Sequence, residues 1–207
     1  MVLAATGSYA TKVTAMGYED VEDDPVFKKG VNLWDNTISN AFSLMRLANG
    51  GVIRINECRR IGAKAPSSYI SAFYGTKGGY QFSNAQHIFT QNKGEGVTLE
   101  DVSDYVNPMA MTENKDLPDF KQRVANHEWQ WDSFAPIQDY KRLPKEYEDL
   151  KNGHMASHKF LIDDFCRAAY NHTLPTVNAW LAARFTIPGI VAFESVKCDG
   201  QPMDIPD

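Results

Sequence analysis

A chain of 207 residues, 43% apolar and 12% aromatic, can bury a core of its own as one domain, with two small domains as the alternative. Its formal net charge of -5, with no run of Lys or Arg, has the wrong sign and distribution for a nucleic-acid or anionic-membrane surface and better suits a small neutral ligand or another protein. Cys58, Cys166 and Cys198 lie far apart without C-x-x-C spacing, which excludes a zinc knuckle or an even disulfide framework and leaves reduced thiols in a cytoplasmic protein.

The opening "MVLAATGSYA" lacks the basic and long apolar regions of a secretory signal, and reads as an apolar turn entering a strand. No stretch is expected to approach the length of a membrane-spanning helix. "TKVTAMGY" (11–18) alternates with the period of two that puts successive side chains on opposite faces of a strand. "ISNAFSLMRLANGGVIRINECRRIG" (38–62) is two such runs joined at Asn49-Gly50, a dipeptide suited to the positive φ angles of a tight hairpin. "YISAFYGTKGGYQFSNAQHIFTQ" (69–91) repeats the arrangement, with Thr76, Lys77, Gly78 and Gly79 turning the chain, and successive hairpins build an antiparallel sheet.

From 92 to 152 the pattern weakens, broken by Pro108, Pro118, Pro136 and Pro144, and an irregular insertion or lid is expected. His127, Trp129 and Trp131 fall in it, as packing or as part of a lid. The period then changes to three and four: Phe160, Leu161, Phe165, Ala168 and Ala169 predict a helix over 157–171, N-capped by Ser157 and ended by Leu174-Pro175. A second helical run holds Trp180, Ala183, Phe185, Ile187, Ile190, Val191 and Phe193, kinks or breaks near Pro188, and stops at Gly200. The tail "QPMDIPD" suits a short edge strand, where proline is tolerated.

Strands first and helices last define an α+β domain, an open, predominantly antiparallel sheet with helices on one face. No G-x-G-x-x-G follows a strand, and neither G-x-x-x-x-G-K-[ST] nor G-x-S-x-G occurs, so the chain is not expected to hold a dinucleotide alone.

Three clusters carry candidate chemistry. In "GHMASHKFLIDDFC" (153–166), His154 and His158 stand four apart before Asp163 and Asp164; a metal site, an acid/base pair and a plain helix entrance are all open, although H-E-x-x-H spacing with its glutamate is missing. In "NLWDNTISN", Asn32, Asp35, Asn36 and Asn40 surround Trp34, an arrangement suited to a sugar's hydroxyls and apolar face, or Asp35 and Asn36 simply cap a turn. In "NECRR", charges on both faces of a strand mark a solvated or oligomer-facing surface.

The order "GSYATKVTAMGY", "NLWDNTISNAFSLMRLANGGVIRINECRRIG", "FYGTKGGY", "GHMASHKFLIDDF", "LPTVNAWLAARFTIPGIVAFESV" resembles the C-terminal domain of Gfo/Idh/MocA oxidoreductases, particularly sugar-active members, over nearly the whole chain. The resemblance implies a substrate-closing and oligomerising domain whose partner Rossmann domain binds NAD or NADP. The family's E-K-P lysine and D-x-x-x-H-type segment have no counterpart here. By the same resemblance His154 and His158 occupy the His positions of a G-H-G-G-x-H segment near the sugar pocket. Lys159 stands where some relatives carry Tyr, and Met155 and Ala156 replace glycines. The implied protein is the substrate half of an NAD(P)-dependent sugar oxidoreductase. The other implied forms are half of an NAD-dependent glycosidase and a noncatalytic carbohydrate-binding or assembly subunit. A homo-oligomer through the open sheet face, and a separate Rossmann-domain partner, complete the expectation.

Overall fold

A computed structural model describes residues 2–21, 24–59, 71–82, 86–92, 96–103, 142–147 and 157–206. They fall into two compact units, Met1–Ala63 with Leu174–Asp207, and Lys64–Thr173.

In the first unit a short helix α1 (Val2–Thr6) precedes β1 (Ala10–Glu19), where an apolar turn was expected. β2 (Ile38–Leu47) and β3 (Val52–Cys58) form the hairpin predicted at Asn49-Gly50; Leu47 N donates to Gly51 O at 2.8 Å, and Gly51 N to Asn49 Oδ1 at 3.1 Å. The sheet order is β3-β2-β1-β8, with the tail strand β8 (Met203–Asp204) on the β1 edge. Cross-strand register places Val13, Met45 and Ile53 on one face, with Ala15 and Ile55, and these join Leu3, Ala10, Leu47 and Ala192 in the core. Alternation places Lys12, Thr14, Met16, Phe42, Leu44, Arg46, Val52, Arg54 and Asn56 on the other face.

Helix α3 (Ala179–Lys197) starts at Asn178, whose Oδ1 accepts from the backbone N–H groups of Trp180 and Leu181, both at 3.1 Å. It packs on the core face. A Cβ on Gly17 would lie 2.6 Å from Val196 Cγ1, so only glycine permits this approach of strand and helix. Ser195, fully buried, accepts from Ala15 N at 3.0 Å and donates to Gln201 O at 2.7 Å, which satisfies the β1 edge beyond the reach of β8. The helix does not break at Pro188, which is buried inside it; packing against β1 outweighs a local cost of about 3 kcal/mol. α3 is also long and apolar enough to cross a membrane by length and composition alone, correcting the expectation that no stretch reaches that length.

The second unit holds the sheet β4-β5-β6-β7, built from β4 (Ser71–Tyr74), β5 (Gly78–Phe82), β6 (His87–Asn92) and β7 (Val97–Asp101), antiparallel throughout. Gly78 and Gly79 belong to β5 rather than to the turn. β7 lies inside the stretch expected to be irregular; every one of its residues is exposed, so no apolar face announced it. Helix α2 (Ser157–Tyr170) matches the predicted start and ends before Leu174-Pro175, where His172 takes a left-handed φ of 54° and Thr173 N donates to Ala168 O at 2.9 Å. The architecture is α+β with open antiparallel sheets. Among the described residues there are two sheets of four strands rather than one large sheet.

Candidate functional site

The loop between β1 and β2 carries the predicted Trp34, Asp35 and Asn36. Its polar side chains are turned onto its own backbone. Asn32 Oδ1 accepts from Trp34 N at 3.2 Å and Asn36 N at 2.9 Å, while its Nδ2 donates to Val26 O at 2.9 Å and Asn36 O at 2.7 Å. Asp35, at a left-handed φ of 54°, accepts from Gly30 N. Asn36 Oδ1 accepts from Ile38 N at 2.8 Å, and Asp24 Oδ1 from Val26 N and Phe27 N at 2.7 and 2.8 Å. Asp and Asn suit these positions because their short side chains tolerate positive φ and mimic backbone turns. The predicted turn-capping role of Asp35 and Asn36 is therefore present in the geometry. Leu33 and Trp34 are 93% and 80% exposed. Asn40 lies at the base, in β2, buried, with Nδ2 donating to Ser39 Oγ at 2.9 Å.

The other predicted cluster lies in the second unit, and His154 is outside the described residues, as are His127, Trp129 and Trp131. His158 is exposed near the start of α2, whereas the neighbouring Lys159 is buried. α2 buries Lys159 and Asp163 together with Phe160 and Ala168. Asp163, 7% exposed, accepts from Arg167 Nε at 2.9 Å through both oxygens and lies 3.7 Å from Arg142 Nε; Arg142 Nη2 donates to Asp164 Oδ1 at 2.9 Å. Arg167 Nη2 also donates to Arg142 O at 2.8 Å, and the Arg142 guanidinium sits 5.0 Å from the Phe160 ring centroid. These bonds hold segment 142–147 against the helix, with Leu143 buried beside it. Asp163 and Asp164 are thus engaged with arginines, and among the described residues no three His, Cys, Asp or Glu side chains gather as a metal-ligand set.

A third polar cluster was not singled out in the sequence. His87, at the start of β6, is 1% exposed and stacks on Phe82 across the hairpin at 4.4 Å. Its Nδ1 shares a short hydrogen bond with Tyr80 Oη, and its backbone N–H donates to Ser103 Oγ at 2.9 Å. Burial pushes the Tyr80 phenol above its ordinary pKa. Period-two alternation in "GGYQF" puts Tyr80 and Phe82 on one face, but nothing local in the sequence reveals the imidazole opposite.

The described residues do not fit a dinucleotide. The glycines of "GTKGG" make close sheet contacts instead of a phosphate cradle: a Cβ at Gly78 would sit 2.4 Å from Thr90 O, and one at Gly79 2.9 Å from Phe73 O. The strands flanking this turn pair as an antiparallel hairpin, not as the strand-turn-helix unit that offers backbone N–H groups to a pyrophosphate.

In fold, the chain is similar to a part of several solved oxidoreductase structures. All of it matches 47% of an oxidoreductase domain protein from Kribbella flavida, with a TM-score of 0.57 and 15% identity. Some 96% matches 45% of levoglucosan dehydrogenase in complex with NADH and L-sorbose, with a TM-score of 0.55 and 15% identity. The same share matches 46% of an NAD binding oxidoreductase from Klebsiella pneumoniae, with a TM-score of 0.56 and 10% identity. The chain therefore spans a little under half the length of these structures. No family model and no curated protein matches the sequence.

Proposed function

We propose that this chain is the substrate-binding and oligomerising half of an NAD(P)-dependent oxidoreductase acting on a sugar or sugar-derived molecule. One observation carries the reading: 96–100% of the chain finds its counterpart in under half of each of three solved oxidoreductases, which supports a nucleotide held by a Rossmann domain outside this sequence. Levoglucosan dehydrogenase, solved with NADH and with levoglucosan or L-sorbose, supports a sugar as the ligand. The redox chemistry comes from the nucleotide bound elsewhere, and this chain contributes shape and hydrogen bonds to the substrate. His158, exposed on the first turn of α2, is the candidate sugar contact in this segment, with His154 and Lys159 beside it in sequence.

The same reading includes a homo-oligomer. The outer face of the first sheet leaves Met16, Tyr18, Phe42, Leu44 and Val52 between 40% and 65% exposed, an apolar patch of the kind that marks an interface. The test has two parts. Calorimetric titration of the chain with NAD(H) and NADP(H) should show no micromolar site, and with a supplied Rossmann domain the assembly should oxidise a sugar of the levoglucosan type. Micromolar nucleotide binding by the chain alone, or no sugar turnover by a nucleotide-binding assembly, overturns the reading.

A further inference from the structure

We propose that Arg142 is a positioning residue: it fixes the rotation of α2 about its own axis and so keeps His158 on the exposed side of the helix, where a sugar reaches it. The proposal rests on the reading of His158 as a sugar contact and adds the residue on which that contact depends.

Apolar burial alone does not settle the rotation. His158, Leu161, Ile162 and Phe165 form one stripe at i, i+3, i+4 and i+7, and all four are exposed. The buried side carries Phe160 and Ala168 with Lys159 and Asp163. A rotation that buried Leu161, Ile162 and Phe165 instead would remove more apolar surface from water, and it would turn His158 inward with them.

Directional bonds decide it. Arg142 meets α2 at three positions: Nη2 donates to Phe160 O at 3.3 Å and to Asp164 Oδ1 at 2.9 Å, and Nε lies 3.7 Å from Asp163 Oδ2. Its guanidinium also stands 5.0 Å from the Phe160 ring centroid. A guanidinium serves all of these at once because its donors lie in a fixed planar fork, whereas a lysine ammonium is a single point. The bond to Phe160 O bears most directly on rotation, since a backbone oxygen cannot swing as a side chain does. The grip is closed from the other end. Asp163 accepts from Arg167 Nε through both oxygens, and Arg167 Nη2 donates to Arg142 O at 2.8 Å, so the backbone that carries the clamp is tied to the helix it clamps. Leu143, 5% exposed, seats the same segment. His158 stands two residues before Phe160, within the turn that Arg142 grips.

Steady-state kinetics on levoglucosan with NAD, using the chain assembled with a supplied Rossmann domain, test this through a double-mutant cycle. His158→Ala should raise KM about tenfold and Arg142→Ala about threefold to tenfold, with kcat within about twofold in both, because binding and not chemistry is lost. In the His158→Ala background, Arg142→Ala should add less than about twofold, since the residue through which it acts is gone. Arg142→Lys keeps the charge and serves if the alanine variant fails to fold; it should still raise KM about threefold. In the chain by itself, hydrogen exchange of amides 161–164 should quicken about tenfold in either Arg142 variant while α3 keeps its protection. If the Arg142 and His158 effects multiply, or Arg142→Ala leaves KM within about twofold of wild type while His158→Ala does not, the positioning role is overturned and the sugar contact stands. If His158→Ala leaves KM unchanged, or the nucleotide-binding assembly turns over no sugar, both fall.

Discussion

The two compact units bury different chemistry. The first closes on an apolar set, Leu3, Val13, Ala15, Met45, Leu47, Ile53 and Ala192, and buries short polar side chains beside it, Asp24, Ser39, Asn40, Ser43 and Ser195, the last satisfying the strand edge beneath α3. The second buries Phe82, Leu143, Phe160 and Ala168 alongside Lys159, Asp163 and His87. Its helix α2 turns charge inward and leaves Leu161, Ile162 and Phe165 more than half exposed, whereas α3 seats Ala192 and Ser195 on β1. Apolar burial is non-directional and tolerates small shifts; paired charges and hydrogen bonds must be met by geometry, because each unmatched buried group costs more than its bond contributes. The first unit is therefore expected to fail by loss of packing and the second by loss of a partner.

Val13→Asp is the largest expected perturbation. It places a carboxylate with no partner at the centre of the apolar core and should destabilise the first unit by about 4 kcal/mol or more. Hydrogen exchange should show its strands losing protection, and protection confined to normal levels would contradict the core assignment. Asp163→Ala removes the acceptor shared by Arg167 and approached by Arg142. Both arginines can recover water at their exposed sides, so the loss should be about 2 kcal/mol, below that for a fully buried pair. It should appear as a lowered Tm and faster exchange in α2. Leu161→Ser with Phe165→Ser sharpens the contrast. On an ordinary amphipathic helix such a pair would be severe, but here each should change stability by no more than about 0.5 kcal/mol, because the side chains are exposed. A large loss in a chemical-denaturation curve would mean that this face is covered.

The smallest effect concerns pH. Burial raises the Tyr80 pKa above its unfolded value, so the folded state holds the phenolic proton more tightly. Its contribution to stability is complete below the unfolded pKa of 10.0 and falls as pH rises through the folded one, because the unfolded chain then binds fewer protons. Urea unfolding across pH 9 to 11 should show that decline in wild type and a shallower one in Tyr80→Phe.

Legibility in the sequence followed the range of the interactions. Asn49-Gly50 announced its hairpin because the turn chemistry sits in two adjacent residues, and the α2 boundaries were legible from spacing and from the stop before Leu174-Pro175. The exposed strand β7 was not, since a strand with no buried face leaves no alternation to read. Of the candidate site, the turn-building roles of Asp35 and Asn36 were visible as one of two alternatives. The consumption of Asn32 at both ends and the burial of Asn40 were not, because they depend on where 24–38 meets itself and its sheet.

By itself the sequence determined the succession of strands and then helices, the absence of a Gly-rich strand-to-helix motif, and hence the α+β class. Each of these follows from periodicity or turn chemistry within a short window. Only the tertiary structure decided which face of α2 is buried, that α3 continues through Pro188, and that Tyr80 meets His87. Helical spacing marks Phe160, Leu161, Phe165, Ala168 and Ala169 as one apolar set, but the buried face takes only Phe160 and Ala168 from it and joins them to Lys159 and Asp163, with Arg142, distant in sequence, arriving to meet Asp163 and Asp164. A proline's local cost is likewise decided by the strand packed against its helix, and a buried imidazole by the tyrosine that crosses the hairpin to meet it.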